Sequence, residues 1–419
     1  VKPVVTVRPI LGEVQTTVTV PGSRSITNRA LVCAALAEGT SVLRDALVAD
    51  DTAAMTDCLQ ALGFRVDWVG TTVTVEGRGG VVPPGPAELS TRLSGTTSRF
   101  VLPLCALGVG EYRVDAAPPM RARPMGDLIG ALRQLGARID GDEHLPVTVH
   151  GGGRVGGSVT IRGDISSQFL SGLLLAGPAM PNGLRVSVAG PLKSRPYVEM
   201  TRQVMADFGI ELAQQGDTLV VAPGPYRARE FHIEPDASSA CYLWAVAAAT
   251  GGTVTVLGLD RSSVQADVGF LEVLEAMGCD VRTGAEGVSV TGPGRLRAVE
   301  VDLSDCSDQA PTLGALAAIA EGTTTVRGIG FIRRKESDRI AAVVGGLRRL
   351  GVSAVELDDG FVVTGGGAGP GRIPTHDDHR IAMAFAVLGL VVEGIEIEDP
   401  ACVDKTYPRF FEMLEGLDG

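Results

Sequence analysis

Short polar clusters alternate with apolar runs along this chain at a long period. The sharpest boundary lies in residues 376–394, HDDHRIAMAFAVLGLVVEG, where His376, Asp377, Asp378, His379 and Arg380 abut a run that is apolar at nearly every position. A helix without a polar face has to be buried. A charged start on such a helix is costly unless something pairs with it. Five other stretches share the pattern: PGSRSITNRALVCAALAEGTSVL from 21, SGTTSRFVLPLCALGVGEYRV from 94, SSQFLSGLLLAGPAMPNGLRV from 166, DASSACYLWAVAAATGGTVTV from 236 and SDQAPTLGALAAIAEGTTTV from 307. Their polar starts, at Ser23, Ser94, Ser166, Asp236, Ser307 and Asp377, recur about every 70 residues. Such a period marks an internal repeat.

Each copy predicts a polar N-cap, an apolar helix, a glycine that stops it and a β-branched strand. An amphipathic helix follows, ending in LG or its equivalent, as in AMTDCLQALGF and DLIGALRQLGA, and short paired strands such as VTVEG or FVVTGG close the unit. The sixth copy reaches Gly419 without its closing strands, while residues 4–10, VVTVRPI, form a strand that belongs to no copy. The expected fold is therefore α/β, with two similar domains, each of three βαβαββ units packed around buried helices. If the N-terminal strand completes the sixth copy, residues 1–15 and 229–419 make one domain and residues 16–228 the other. A solenoid is the competing reading, but solenoid repeats rarely exceed about 50 residues and keep similar surface residues.

Helix N-termini carry unpaired N–H groups and roughly half a positive charge, so they attract anions. Six polar starts that converge would form one anion-binding cleft, with Asp377 to Arg380 lining its mouth and not buried in the core. The starts differ chemically. Ser23, Arg24, Ser25 and Arg29 offer hydroxyls and two guanidiniums; Ser166, Ser167 and Gln168 resemble a phosphate cradle followed by an amide; Asp308 is a lone carboxylate between Ser307 and Gln309. RRKESDR at 333–339, MRARP at 120–124 and DKTYPRF at 404–410 add further charge. Singly, each has a plainer reading. SSQ is a helix cap, RRKESDR a solvated face with charges four apart, and MRARP a helix entry with Pro124 in its first turn. His376 and His379 could ligate a metal, although the sequence offers no third partner.

Composition narrows the classes. A hydrophobic content of 45% with 55 glycines and 4% aromatics fits a globular α/β protein rich in turns, and no apolar run reaches the roughly 18 residues of a membrane span. The seven cysteines are scattered, odd in number and never spaced as CxxC, so neither a disulfide framework nor a zinc site is expected, and a reducing cytoplasm is the simplest location. A net charge of −12 argues against nucleic acid as a partner. The chain starts at Val1 with no secretory h-region after it.

PGSRSITNRA, SGTTSR, RARP, GDISSQF, SRPY, SDQA, RRKESDR, DDHRIAM and DKTYP, in this order and from end to end, resemble the motif set of the enolpyruvyl transferases. KESDR together with DDHR carries most of the specificity, and GDISSQF points to the branch whose acceptor is shikimate 3-phosphate. The resemblance implies two three-repeat domains that close like a clamshell, as an inverse α/β barrel. It implies transfer of the enolpyruvyl group of phosphoenolpyruvate to the 5-hydroxyl of shikimate 3-phosphate, with release of phosphate, on the cytoplasmic route to aromatic amino acids. No metal and no organic cofactor is implied, and a monomer is expected; glyphosate inhibits members of the family.

By the same resemblance, Arg24, Gly95, Arg123, Gln168, Arg339, Arg380 and Lys405 hold phosphoenolpyruvate. Arg24, Ser25, Arg29, Ser166, Ser167, Gln168, Ser194, Tyr197, Asp308 and Lys335 hold shikimate 3-phosphate. The domain of residues 16–228 becomes the shikimate 3-phosphate side and the other the phosphoenolpyruvate side. Asp308 is the implied proton acceptor, Glu336 its partner at the methylene carbon, and Lys405 the group that neutralises departing phosphate, with Arg24 completing the catalytic set. Guanidiniums suit anionic substrates because they bind carboxylate or phosphate bidentately and stay charged.

Three positions depart from the family pattern. Arg24 stands where lysine is usual, and it keeps its proton where lysine can give one up; Leu93 replaces a frequent asparagine, and Phe331 a frequent polar residue. These departures leave open a paralogue acting on a different phosphorylated alcohol. The branch that acts on UDP-N-acetylglucosamine usually carries a reactive cysteine before the RP pair, and residues 111–124, EYRVDAAPPMRARP, contain none.

Overall fold

The six apolar runs fold as helices: Arg24–Leu36, Gly95–Leu107, Ser167–Ala176, Ala237–Thr250, Ala310–Ile319 and His379–Gly389, called the first to sixth core helices in chain order. They appear in a computed structural model that describes residues 3–418 apart from 154, 164, 165 and 193. Asp164 and Ile165 of the GDISSQF motif therefore lie outside the described residues. With no polar face, these helices are buried as expected. From Ala240 to Ala247 no residue of the fourth is more than 1% exposed, and its Trp244 satisfies the indole N–H on the Val288 carbonyl at 3.2 Å.

The polar starts act as caps. Side chains of Ser23, Ser94, Ser166, Asp236 and Asp378 accept backbone N–H groups two or three residues further on, which satisfies donors that the helix leaves orphaned. The fifth helix instead begins in a 3-10 turn, Ser307–Gln309, that carries Asp308. Glycine ends the fourth helix at Gly251, with φ of 76°. The first and fifth stop earlier than expected, at Leu36 and Ile319, because the chain turns extended at Ala37 and Ala320 before reaching Gly39 and Gly322. Gly172 serves packing: a Cβ there would lie 2.3 Å from the Arg99 carbonyl oxygen, so only glycine lets the third helix approach the second this closely.

The second repeat shows the common plan. Its strands Ala87–Ser90 and Val109–Asp115 are parallel and joined through the second core helix, which is the crossover that parallel pairing requires. Strands Arg138–Asp140 and Val147–Gly152 form an antiparallel hairpin, and Val147–Gly152 pairs with Val109–Asp115. The other repeats follow this order, with the chain ends exchanged. Gln15–Val18 opens the fourth repeat by pairing parallel with Thr253–Leu257. Tyr226–Arg227 and Glu230–His232 open the first by pairing with Ala37–Arg44. Val4–Thr6 lies antiparallel to Ile395–Glu398 in the sixth.

The chain divides into two compact units, residues 1–21 with 235–419, and residues 22–234. These divisions fall six residues after the expected boundaries at 15/16 and 228/229. The reason is the ladder hydrogen bonding: Gln15–Val18 and Glu230–His232 each stay with the sheet whose first strand they supply. Among the described residues no helix is long and apolar enough to cross a membrane.

Candidate active site

In the unit of residues 1–21 and 235–419, the amphipathic helix Arg339–Arg349 buries Ile340, Val343, Val344 and Leu347, a stripe at helical spacing. Arg339 lies one turn before Val343 on that stripe, so its guanidinium is 1% exposed. Three carboxylates meet it. Nε donates to Asp378 Oδ2 at 2.8 Å, Nη1 to Asp308 Oδ1 at 2.8 Å and Nη2 to Glu336 Oε2 at 2.7 Å. Burial alone would push this guanidinium's pKa down, but Asp378, Glu336 and Asp308 outweigh it and hold the group above its ordinary value.

Around this fork the charges alternate. Asp308, 6% exposed, accepts from Arg380 Nη2 at 2.8 Å through Oδ2, and its Oδ1 lies 3.6 Å from Lys335 Nζ. Arg380 also reaches Ser238 Oγ at 3.2 Å and the Tyr242 hydroxyl at 3.4 Å, and burial raises that tyrosine's pKa against the pull of Arg380. Lys405 donates to Glu336 Oε1 at 2.8 Å. Lys335 stands 6.0 Å from the centre of the Phe331 ring, so the ammonium faces an aromatic surface. The arrangement brings together Asp308, Lys335, Glu336, Arg339, Arg380 and Lys405, a carboxylate in contact with every cation.

The expectation that Asp377 to Arg380 line a mouth unburied is corrected. Only His376 and Asp377 are exposed; Asp378, His379 and Arg380 are 0%, 1% and 2% exposed. The charges tolerate burial because they are paired, and Asp378 caps the sixth helix while also holding Arg339. The solvated-face reading of RRKESDR fails for Arg339 for the same reason. Among the described residues no group of three or more His, Cys, Asp or Glu could hold a metal ion.

In the unit of residues 22–234, the guanidinium of Arg29 is buried with neutral partners only among the described residues. Nε donates to Thr201 Oγ1 at 2.8 Å, Nη1 to the Ser25 carbonyl at 2.8 Å, and Nη2 to the Tyr197 carbonyl at 3.2 Å and Ser171 Oγ at 3.5 Å. Burial lowers its pKa to about 10. Arg24 instead meets a carboxylate, Asp51 Oδ2, at 3.3 Å. Ser166 caps the third helix on the Gln168 N–H, and the Gln168 amide reaches Thr96 Oγ1 at 3.3 Å, tying the third helix's start to the second's. A Cβ on Gly95 would come within 2.4 Å of Arg99 Nη1 and 2.8 Å of Arg123 Nη1. Ser167 is buried in the first turn of the third helix. Ser194 adopts a left-handed backbone, φ 53°, just before the helix that carries Tyr197. Leu93 is 38% exposed.

The candidate phosphoenolpyruvate set is thus divided, with Arg24, Gly95, Arg123 and Gln168 in one unit and Arg339, Arg380 and Lys405 in the other. The acceptor set divides too, since Asp308 and Lys335 lie in the latter. Sequence reasoning placed Asp378 at the helix start without seeing its pairing with Arg339, and it missed Ser238, Tyr242 and Asp51 as partners of site residues. Asp378 alone carried a signal, as the acidic residue next to the first apolar turn.

Solved structures place the architecture in a class. EPSP synthase from Acinetobacter baumannii superposes with a TM-score of 0.84 at 26% identity, covering 99% of this chain and 98% of that one. The 3-phosphoshikimate 1-carboxyvinyltransferase of Nostoc punctiforme is 44% identical over 413 residues, 96% of this chain and 97% of the relative. That of Syntrophobacter fumaroxidans is 44% identical over 425 residues, 98% and 99%. The family profile described as EPSP synthase (3-phosphoshikimate 1-carboxyvinyltransferase) matches residues 10–414. The chain belongs to the EPSP synthase family.

Proposed function

We propose that this chain transfers the enolpyruvyl group of phosphoenolpyruvate to the 5-hydroxyl of shikimate 3-phosphate by addition and elimination, releasing phosphate. The observation that carries the chemistry is Asp308, held by hydrogen bonds from Arg339 and Arg380 while Glu336 pairs with Lys405. A carboxylate so placed takes the proton of an attacking hydroxyl, and the Glu336–Lys405 pair supplies one to the methylene carbon. Elimination reverses that second transfer, and Lys405 neutralises the phosphate that leaves. Arg24, Gly95, Arg123, Gln168, Arg339, Arg380 and Lys405 bind phosphoenolpyruvate on this reading. Arg24, Ser25, Arg29, Ser166, Ser167, Gln168, Ser194 and Tyr197 bind shikimate 3-phosphate, with Asp308 and Lys335 at its ring hydroxyls. The acidic net charge supports a reading without a nucleic-acid partner, and the seven free cysteines support a reducing cytoplasm.

The test is phosphate release by purified protein given phosphoenolpyruvate with either shikimate 3-phosphate or UDP-N-acetylglucosamine. Release is expected with shikimate 3-phosphate alone, and Asp308→Asn should lower kcat by about 10² to 10⁴, the usual weight of general acid–base catalysis. Release only with the amino sugar, or with neither acceptor, would overturn the assignment.

A further inference from the structure

Arg380 is tied to an acid that has no role in the reaction above. Asp267 sits in the 3-10 turn Ala266–Gly269 and is 4% exposed. Its Oδ2 accepts the hydroxyl of Ser238, in the first turn of the fourth core helix, and Ser238 Oγ accepts from Arg380 Nη2 at 3.2 Å. Its Oδ1 is buried with no hydrogen-bond partner among the described residues.

The direction of these bonds matters. A hydroxyl has one proton and two lone pairs. Because Ser238 gives its proton to Asp267, a lone pair is what Arg380 meets, so the carboxylate fixes which way the hydroxyl dipole points. Arg380 Nη2 then has two anchors, Asp308 Oδ2 at 2.8 Å and Ser238. Two anchors on one nitrogen set the plane of the guanidinium and with it the aim of its remaining donors. Charged groups face Asp267 from each packed element: Arg380 from the sixth helix, Asp308 from the turn before the fifth, and Asp236 from the start of the fourth. Burial raises the pKa of the Asp267 carboxyl, and Arg380 opposes that shift.

We propose that Asp267 is a positioning residue for phosphoenolpyruvate, acting through Ser238 to orient the guanidinium of Arg380. The inference rests on the phosphoenolpyruvate-binding role proposed for Arg380. A purely structural role is the alternative, since the same segment braces the fourth helix. Gln265 accepts the Ala237 N–H at 3.1 Å and donates to the Pro235 carbonyl at 2.8 Å, and the Asp267 carbonyl accepts from Cys241 Sγ at 3.3 Å.

The experiment separates the two by steady-state kinetics on the full chain, with calorimetric titration of phosphoenolpyruvate alongside. Asp267→Ala and Ser238→Ala should each raise the KM for phosphoenolpyruvate about tenfold, the weight of one charge-assisted hydrogen bond. kcat should stay within about twofold and the KM for shikimate 3-phosphate should not move. The double variant should be no worse than Ser238→Ala alone, because both act along one path. Asp267→Asn, which keeps an acceptor for the hydroxyl, should recover most of the loss. Gln265→Ala loses the brace without touching Arg380, so it should lower Tm and leave the KM for phosphoenolpyruvate unchanged. Additive single effects, an unchanged KM in Asp267→Ala, or an equal rise in Gln265→Ala would overturn the proposal. A wild-type chain that binds phosphoenolpyruvate but releases no phosphate would sink the reaction alone, with the Asp267 inference then decided by the calorimetric shift.

Discussion

Arg339→Lys keeps the charge at a position 1% exposed but replaces a fork with a point. The guanidinium meets three separate carboxylates at 2.7 to 2.8 Å, and Asp378 a second time at 3.3 Å. A lysine ammonium on a flexible stem cannot reproduce that planar geometry. Glu336 keeps Lys405 and Asp308 keeps Arg380, each at 2.8 Å, so the loss centres on Asp378, whose carboxylate otherwise accepts from the Ser337 hydroxyl and the Arg380 backbone N–H. Leaving one buried charge short of its partner costs about 3–5 kcal/mol. At about 2–4 °C per kcal/mol for a unit of this size, Tm should fall by roughly 6–20 °C. Scanning calorimetry reads this, with separate transitions resolved if the two units unfold independently.

The pH dependence supplies a second arm. The folded pKa of Arg339 lies above its ordinary value, so its stabilisation is fully present below that ordinary value and is lost only as pH rises through the higher folded one. The Tm difference between wild type and Arg339→Lys should therefore be flat from about pH 6 to 9. A Tm within about 2 °C of wild type, or a difference that vanishes towards pH 9, would refute the reasoning.

Gly95→Ala places a Cβ 2.4 Å from Arg99 Nη1 and 2.8 Å from Arg123 Nη1; the guanidiniums must shift, and the KM for phosphoenolpyruvate should rise about tenfold with little change in Tm, so an unaltered KM would count against a binding role for Arg123. Arg24→Lys should raise turnover, because lysine can exchange its proton where arginine does not; an equal or lower rate would mark arginine as an adapted choice beside Asp51. Burial pushes all seven cysteine thiols up, Cys58, Cys279 and Cys402 to about 12, so at pH 8 a thiol reagent should find no fast-reacting group until the protein is denatured. One rapid thiol in the native protein would contradict this.

Much of the architecture was legible because it is written locally. The repeat shows in the spacing of polar starts, and the caps show because Ser23, Ser94, Ser166 and Asp236 each precede an apolar run. The exchange of chain ends followed from counting, since the sixth copy lacked closing strands and Val4–Thr6 lacked a repeat. What stayed hidden depends on contacts between distant residues. Arg29 bonds Thr201 from 172 positions away, and Arg380 bonds Asp308 from 72. The cap of the sixth helix was displaced by one residue because His376 and Asp377 both take left-handed backbones, at φ of 54° and 57°, leaving Asp378 to cap. Asp267 was invisible for a different reason: only the fold of its turn against the fourth helix brings the carboxylate to Ser238.

A chain with a net charge of −12 holds its candidate anion-binding cations in two electrostatic conditions. Arg29 is surrounded by hydroxyls and carbonyls, and burial depresses its pKa, so the free protein bears an unfavourable cation that an anionic ligand would relieve. Such a group suits holding the part of a ligand, such as a phosphate, that stays unchanged through a reaction. Arg339 and Arg380 are already paired with Asp308, so an anion arriving there gains less from them while Asp308 is ionised, and more once it takes up a proton. Cations that share a base respond to the state of that base, which binds the transition state more strongly than the ground state, and that difference is what accelerates a reaction. On the proposed reaction Arg29 would supply grip and the Asp308 cluster chemistry, which requires Asp308→Asn to bind phosphoenolpyruvate more tightly than wild type while turning over far more slowly.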